Sequence, residues 1–589
     1  MLEPQVRIST YDIVRPPTGY ILDALVVTTY SASLDTILSL PAAMLVDTQG
    51  KTDRPAGTIS AAELAALKRV CDRTVVFCQM GGIYPAQLVS PAIIEAEDMV
   101  REAIAPNGGS FHPKVWIVRF CHAEGKRDIL RVAVMSRNLT ADRSWDAGVI
   151  MEGTPGKSPQ KPNDLGRLLQ HLANSGPRPI DPKRRNMILT LAADSERVRW
   201  KAPTGKGHPE FHLIGDQQGR AWRQPASDRL AIISPFLTAS AVSELSKTAS
   251  SRALILSRAD ALTQCWPSVS DRFERQMVLS PPGGELGAPS AGLHAKALIW
   301  QKGSRMRVAI GSMNATRSAI SGRNVEFMVS FECPAAAGFA EVDDLLTPKN
   351  LGTVVEDFEP PVTLETPPVT FDDRPARNAV IAAHLHMECV PCNDGWSLAL
   401  VPGAVLDDDQ LPLHSLRFRP VTQSQARASQ CGQSLRLGKA APFQGTLELS
   451  QITGFTAFEA DGPDGPFAFV LNLEVRGVDE GERRTAALKS LLPNERSFAE
   501  FLRTMLGDFQ SLENTDGGTG DGSGPTSWGS QGQSGLLEML IRCAADEPTR
   551  LKSIVETFEA LGEEQLAEVT TAEFRQLWAA LLHSAKQQT

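Results

Sequence analysis

The sequence is short of aromatic residues and of unbroken apolar runs. Of its 589 residues only 6% are aromatic, four of them Tyr, so any core must be built mainly from aliphatic side chains. Nowhere do the roughly 20 consecutive apolar residues of a membrane-spanning helix occur. The opening MLEPQVRISTYDIVRPPTGY has no basic stretch followed by an apolar segment, so no secretion signal is read there and a cytoplasmic protein with no membrane partner is expected. The nine cysteines are scattered, mostly within strand-like runs such as TVVFCQM, where reduced buried thiols are expected rather than a disulfide framework. Positive charge is also in deficit, with 59 Lys and Arg against 68 Asp and Glu and a formal net charge of -9. That excludes a globally basic nucleic-acid coat and leaves room only for a local basic groove.

What the sequence has in abundance is self-similarity. ALVVTTYSASLDTILSL (from Ala24) reads as an apolar strand, a Ser-rich turn and a helix, and LAIISPFLTASAVSELS (from Leu230) repeats that plan. RTVVFCQM (from Arg73) then matches SRALILSRAD (from Ser251), FHPKVWIVRF (from Phe111) matches LHAKALIWQK (from Leu293), and ILRVAVMSRNLT (from Ile129) matches RMRVAIGSMNAT (from Arg305). WDAGVIMEG (from Trp145) and NVEFMVSFE (from Asn324) close the two series. Five elements in one order, twice, predict a duplicated α/β lobe, at a spacing far beyond that of a solenoid repeat. Continuous apolar strands alternating with helices predict sheets buried on both faces, hence layered α/β sandwiches.

The expected organisation is lobe one over 1–180, closed by a helix in NDLGRLLQHLANSG (from Asn163), and lobe two over 181–349. A Pro-rich acidic linker and a β-rich module follow over 350–480, then a helical segment over 481–512. A flexible Gly/Ser linker is expected over 513–535 and a small helical region over 536–589.

The chemistry-bearing residues recur with the repeat. Residues two apart on a strand share a face, so His112 projects with Lys114, and His294 with Lys296. Asn138 and Asn314 end the next strand, where MSRN and GSMN turn and where Ser136 and Ser312 can offer hydroxyl and N–H groups to an anion. An imidazole, a fixed positive charge and an amide at one sheet edge describe a phosphate site with a nucleophile in it.

This doubled pattern resembles the phospholipase D superfamily, over roughly residues 20 to 335. HAK, GSMN and then Glu326 match its motif in the second copy. HPK, MSRN and then Asp146 match in the first, with Met135 in place of Gly and Asp in place of Glu. Where the superfamily's phospholipases carry Asp, five residues after the motif Lys, this chain has Arg119 and Gln301. That departure resembles the tyrosyl-DNA phosphodiesterase-like branch and bacterial nucleases of the superfamily.

The resemblance implies a metal-independent phosphodiesterase, a nuclease, working through a phosphohistidine without any cofactor. His112 is the expected nucleophile and His294 the acid, with both Lys and both Asn on the phosphoryl oxygens and Asp146 and Glu326 orienting the imidazoles. Because the duplication supplies both halves, one chain should form one complete site. The implied partner is nucleic acid, DNA favoured. RPPTGYILDALVVTTYSASLDTILSLP (from Arg15) is similar to bacterial members found with helicases in anti-phage defence, which suggests a helicase-like protein partner. The alternatives are a phospholipid hydrolase or phosphatidyl transferase, and a nucleic-acid-binding subunit that does not cut.

Other motifs carry weaker signals. His384, His386, Cys389 and Cys392 in HLHMECVPC are four potential zinc ligands, but no second Cys-x-x-Cys follows, so buried strand thiols are expected and no metal is assigned. RVRW (from Arg197) with KAPTGKGHPEFH (from Lys201), including His208 and His212, is either a nucleic-acid-binding loop over the cleft or an exposed connector. The run Asp407 to Asp409 and EGERR (from Glu480) read as solvated loops.

Overall fold

The computed structural model of the protein describes residues 8–45, 59–87, 89–122, 125–158, 162–205, 207–280, 292–334, 341–360, 372–406, 414–507, 536, 538–543 and 548–587. The expected linker over 513–535 and the acidic run Asp407 to Asp409 lie outside the described residues. Two compact units alternate along the chain. Met1–Ser33, Arg73–Ile83 and Val100–Thr370 form the first, and Leu34–Asp72, Tyr84–Met99 and Phe371–Thr589 the second.

The first unit contains the duplication as two sheets of one topology. In the first sheet, β1 (Tyr20–Thr29), β2 (Thr74–Gln79), β3 (Val100–Ala103), β4 (Val115–His122), β5 (Ile129–Met135) and β6 (Gly148–Gly153) are ordered β3-β2-β1-β4-β5-β6. The helices α1 (Asp164–Asn174) and α2 (Pro182–Arg197) follow, then β7 (Glu210–Ile214) and the second sheet. Its strands β8 (Ser227–Ile233), β9 (Ala249–Leu256), β10 (Arg275–Leu279), β11 (Ala297–Lys302), β12 (Arg305–Gly311) and β13 (Glu326–Cys333) repeat the plan as β10-β9-β8-β11-β12-β13. The helices α3 (Ala239–Ser246) and α4 (Ala259–Val269) make the crossovers, and β7 and β14 (Val355–Asp357) add an edge strand at either end. In both sheets the central strand pairs parallel with the next in sequence and antiparallel with the strand that follows the His-x-Lys segment. The chain is therefore α/β, with mixed sheets.

The burial pattern explains why these segments read as unbroken apolar runs. Along β8, Ala231 and Ile233 enter a core shared with the first sheet, whereas Leu230 and Ile232 enter a second core beneath α3 and α4. A strand covered on both faces needs apolar residues at every position, not at alternate ones. The helix expected after Asn163 is α1, where Asn163 accepts from the Gly166 N–H as N-cap and Leu165, Leu168, Leu169 and Leu172 face the shared core.

The second unit joins β-structure to helices. β15 (His386–Cys392) and β16 (Gly395–Val401) form a hairpin, and β17 (Arg417–Pro420), β18 (Phe455–Gly462) and β19 (Gly465–Asn472) an antiparallel run. α5 (Glu480–Leu491), α6 (Glu495–Leu506), α7 (Pro548–Val569) and α8 (Ala572–Gln587) follow. EGERR is the first turn of α5 and not a solvated loop: Asp479 caps it, and acidic Glu480 and Glu482 suit a helix N-terminus. Its Arg483, 5% exposed, pairs with Glu97, which also accepts from Thr453 and the Gly454 N–H. No helix among the described residues is long and apolar enough to cross a membrane.

Candidate active site

The site is assembled where the two sheets exchange short bridges. Phe111 pairs with Val325 and Trp145 with Leu293, each a parallel bridge from one lobe to the other. The His112 N–H donates to Val325 O (2.9 Å), and the Val325 N–H donates to Ser110 O (3.0 Å). On the other side the N–H groups of His294 and Ala295 both donate to Trp145 O (2.9 and 2.8 Å), and Trp145 N–H donates to Gly292 O (2.9 Å). Each His-x-Lys segment is thus held by the backbone of the opposite lobe, just ahead of that lobe's acidic residue.

The side chains follow the backbone. His112 Nδ1 lies 2.8 Å from Glu326 Oε2, and His294 Nδ1 lies 2.7 Å from Asp146 Oδ1. These pairs cross the lobes over sequence separations of 214 and 148 residues. Ser312 donates to Glu326 (2.5 Å) and Ser136 to Asp146 (2.7 Å), so each serine fixes the carboxyl group of its own lobe. A carboxylate on Nδ1 leaves Nε2 of each ring for the substrate. Position by position the two halves are equivalent.

Both lysines are buried, Lys114 at 1% and Lys296 at 0% exposure. Lys114 Nζ donates to His112 O (3.1 Å) and Lys296 Nζ to His294 O (2.5 Å). Burial holds Lys114 down to about 7 despite attraction to Glu326 and Asp146. Lys296 sits well below its ordinary value, from burial first and then from the charge of Lys114. Burial likewise pulls His112 down to about 4 and lowers His294, so both rings are neutral in the empty site at neutral pH. Burial opposes ionisation of Glu326, but His112, Lys114 and the Ser312 hydroxyl outweigh it and keep the carboxyl below the usual range. Burying two lysine amines together costs stability, because each must give up its charge or carry it without solvent, and such a cost is characteristic of a site built for an anion.

Asn138 and Asn314 stand at equivalent turns, tied to the central strands. Leu139 N–H donates to Thr29 Oγ1 (3.0 Å) and Ala315 N–H to Ser234 Oγ (2.9 Å). The side-chain oxygens of both asparagines are buried with no hydrogen-bond partner among the described residues. Eight of the ten residues singled out from the sequence, all but Asn138 and Asn314, are linked by hydrogen bonds or charge in one cross-lobe cluster.

The departures from the motif have physical explanations. Met135 pairs with Gly148 across the ladder, while Gly311 pairs with Met328. The glycine and the methionine have exchanged strands, leaving the same total bulk. A Cβ on Gly311 would sit 2.2 Å from Phe327 O, so the second lobe needs its glycine there. Arg119 is engaged with Asp23 (2.5 Å) and Asp194 (3.0 Å), and Gln301 accepts from the Val342 N–H, both well along their strands from the histidines.

Some residues of the cluster carry no pattern in the sequence. Tyr30, just past the end of β1, lies with its ring 5.1 Å from that of His112, and Lys114 Nζ is 5.8 Å from its centroid. Gln79 accepts from the Phe111 N–H (2.6 Å), and Asn324 accepts from Ser110 N–H (3.1 Å) while donating to Glu326 (3.2 Å). The only sequence cue was position, since Tyr30 and Gln79 both close the parallel strands β1 and β2, of which β1 adjoins the strand that follows His-x-Lys.

The other candidates are used elsewhere. Trp200 is buried in the shared core, His208 Nδ1 lies 3.0 Å from Trp200 O, and His212 bonds Ser330 (2.8 Å), four residues along β13 from Glu326. Cys389 is buried and Cys392 exposed on β15. Among the described residues no three His, Cys, Asp or Glu side chains are grouped to hold a metal.

No protein-family model matches the chain. No curated protein matches it either. Among solved structures it is similar to a mutant tyrosyl-DNA phosphodiesterase from yeast, at 11% identity and TM-score 0.34, over 55% of this chain and 84% of that one. It is also similar to a polyphosphate kinase from Porphyromonas gingivalis, at 12% identity and TM-score 0.30, over 54% of this chain and 41% of that one. Likenesses this distant leave the chemistry to be read from the site itself.

Proposed function

We propose that the protein is a metal-independent phosphodiesterase that cleaves nucleic acid through a phosphohistidine. The observation that carries this reading is the pair of cross-lobe imidazole–carboxyl contacts, each beside a buried lysine, in one cluster. A diester phosphate entering between the rings meets two Nε2 atoms, two lysine Nζ atoms that take up protons as the anion binds, and two amides.

His112, neutral and with Nδ1 turned to Glu326, attacks phosphorus through its Nε2 lone pair. The bond from phosphorus to the leaving oxygen breaks, and His294, protonated when the anion binds, passes its Nε2 proton to that oxygen. His294, now neutral, takes a proton from water, the resulting hydroxide attacks phosphorus, and the P–N bond breaks to restore His112. Lys114, Lys296, Asn138 and Asn314 balance the charge on the equatorial oxygens throughout, the role that divalent cations fill in many phosphoryl-transfer sites.

The test is incubation of the purified protein in EDTA with labelled DNA, labelled RNA and phosphatidylcholine vesicles. Cleavage of a nucleic acid, persisting in EDTA, is the expected result. Hydrolysis of the lipid alone supports the phospholipase alternative, and cleavage lost in EDTA but restored by a divalent cation overturns the phosphohistidine route.

A further inference from the structure

Each lobe carries an arginine three residues ahead of its acidic residue: Arg143 in RSWD and Arg323 in RNVE. Both are exposed, and neither has an ion-pair partner among the described residues. They occupy equivalent positions, because Trp145 and Val325 make equivalent cross-lobe bridges. Arg143 is two residues from Trp145, whose carbonyl accepts from His294 N–H, and Arg323 is two from Val325, whose carbonyl accepts from His112 N–H. Two extended residues span at most ~7 Å, so each arginine is mounted within about one side-chain length of the histidine contributed by the other lobe.

The mounts are rigid. Asp142 accepts from the Ser144 N–H (3.1 Å) beside Arg143. Beside Arg323, Asn324 accepts from Ser110 N–H (3.1 Å), and a Cβ on Gly109 would sit 2.3 Å from Arg323 O. Neither guanidinium is needed to hold these loops, which are fixed by backbone and short polar side chains. An exposed arginine on a fixed loop is suited to bidentate contact with a phosphate.

We infer that Arg143 and Arg323 bind the phosphates on either side of the one being cleaved, so that the substrate is a nucleic-acid strand continuing in both directions through the site. This rests on the phosphodiesterase reading above. The duplication gives a strand one arginine upstream and one downstream, which suits internal cleavage. Phosphatidylcholine has no second or third phosphate to fill these positions.

The experiment compares wild type with Arg143→Ala, Arg323→Ala and the double variant, and with Arg305→Ala, which removes an exposed charge at the start of β12. Cleavage in EDTA is measured on a dinucleotide with one diester and on a longer oligonucleotide whose scissile diester has neighbours on both sides, across a salt series. Bis(p-nitrophenyl) phosphate serves as a phosphodiester without nucleosides. The wild type should prefer the longer substrate. Each single substitution should lower the ratio of kcat/KM for long over short substrate about tenfold and reduce the salt slope by about 1, the double variant should lose both effects, and Arg305→Ala should match wild type. An unchanged ratio in the double variant, or an equal fall on both substrates, overturns the inference. If wild type cleaves bis(p-nitrophenyl) phosphate but no oligonucleotide, the inference fails while the diester chemistry stands, and if it cleaves no ester at all, both fail.

Discussion

A tetrahedral dianion placed between the lysines should drag protons into the site. Sulfate is the right probe, because it does not itself titrate near neutral pH. In the empty site burial holds Lys114 at about 7 and Lys296 well below its ordinary value, while a bound dianion returns each toward the ordinary lysine range near ~10.4. The sign follows from linkage: the bound form holds more protons than the free form above pH ~7, so affinity must fall as pH rises through that value. For Lys114 alone the fraction deprotonated is about 0.1 at pH 6 and about 0.9 at pH 8, and the dissociation constant should rise about 100-fold between pH 6 and pH 9. Lys296 adds to both figures. Isothermal titration of sulfate at pH 8, in two buffers of different ionisation enthalpy, reads the uptake as a difference in apparent enthalpy equivalent to at least ~0.9 proton. Identical enthalpies in the two buffers, with affinity flat from pH 6 to pH 9, would refute the claim that burial has discharged these lysines.

Other outcomes follow from the same geometry. His112→Ala and His294→Ala should each cut turnover by at least ~10³-fold without a change in far-UV circular dichroism, since each ring lies at the edge of the cluster and not in a core. Glu326→Gln should perturb the ring of His112, and Asp146→Asn that of His294, so nitrogen NMR of the imidazoles should show each substitution acting in the opposite lobe. Effects confined to the same lobe would contradict the crossed pairing. Lys114→Met should stabilise the empty protein by a few kcal/mol near pH 7, after allowance for the lost bond to His112 O. Because the folded pKa lies below the unfolded one, that gain should be full below pH ~7 and vanish as pH approaches ~10.5, which denaturant midpoints of the first unfolding transition would show.

Much of this architecture can be read from the sequence because duplication writes every signal twice. The His-x-Lys strands, the Asn turns and the acidic residues recur in order, and two-faced burial leaves strands such as LAII and RVAV unmistakably apolar. What the sequence hides is partnership. Nothing in the spacing of His112 and Glu326 says that they pair across 214 residues in preference to His112 with Asp146, because that depends on bridges of a single residue pair. The exchange of Met135 and Gly148 is visible only once the ladder register is known. Tyr30 has no counterpart in the second lobe, where Pro235 follows the equivalent Ser234, so the repeat that exposes the other site residues conceals this one. The segments Leu34–Asp72 and Tyr84–Met99 lie within the first repeat yet cluster with Phe371–Thr589, because contacts made by Glu97 with Thr453 and Arg483 are far from local.

The central claim is that an imidazole becomes covalently bonded to phosphorus. Its most direct test is a single-turnover reaction of His294→Ala in EDTA with a nucleoside p-nitrophenyl phosphate diester, whose leaving group needs no acid, quenched in base and mapped by mass spectrometry. The account predicts a burst of one nitrophenolate per chain and a nucleotidyl group on His112, stable in base and lost in acid, that persists because His294 is not there to activate water. Wild-type turnover of the same ester with no burst and no adduct in the variant, or an adduct in the variant on any residue other than His112, would contradict it.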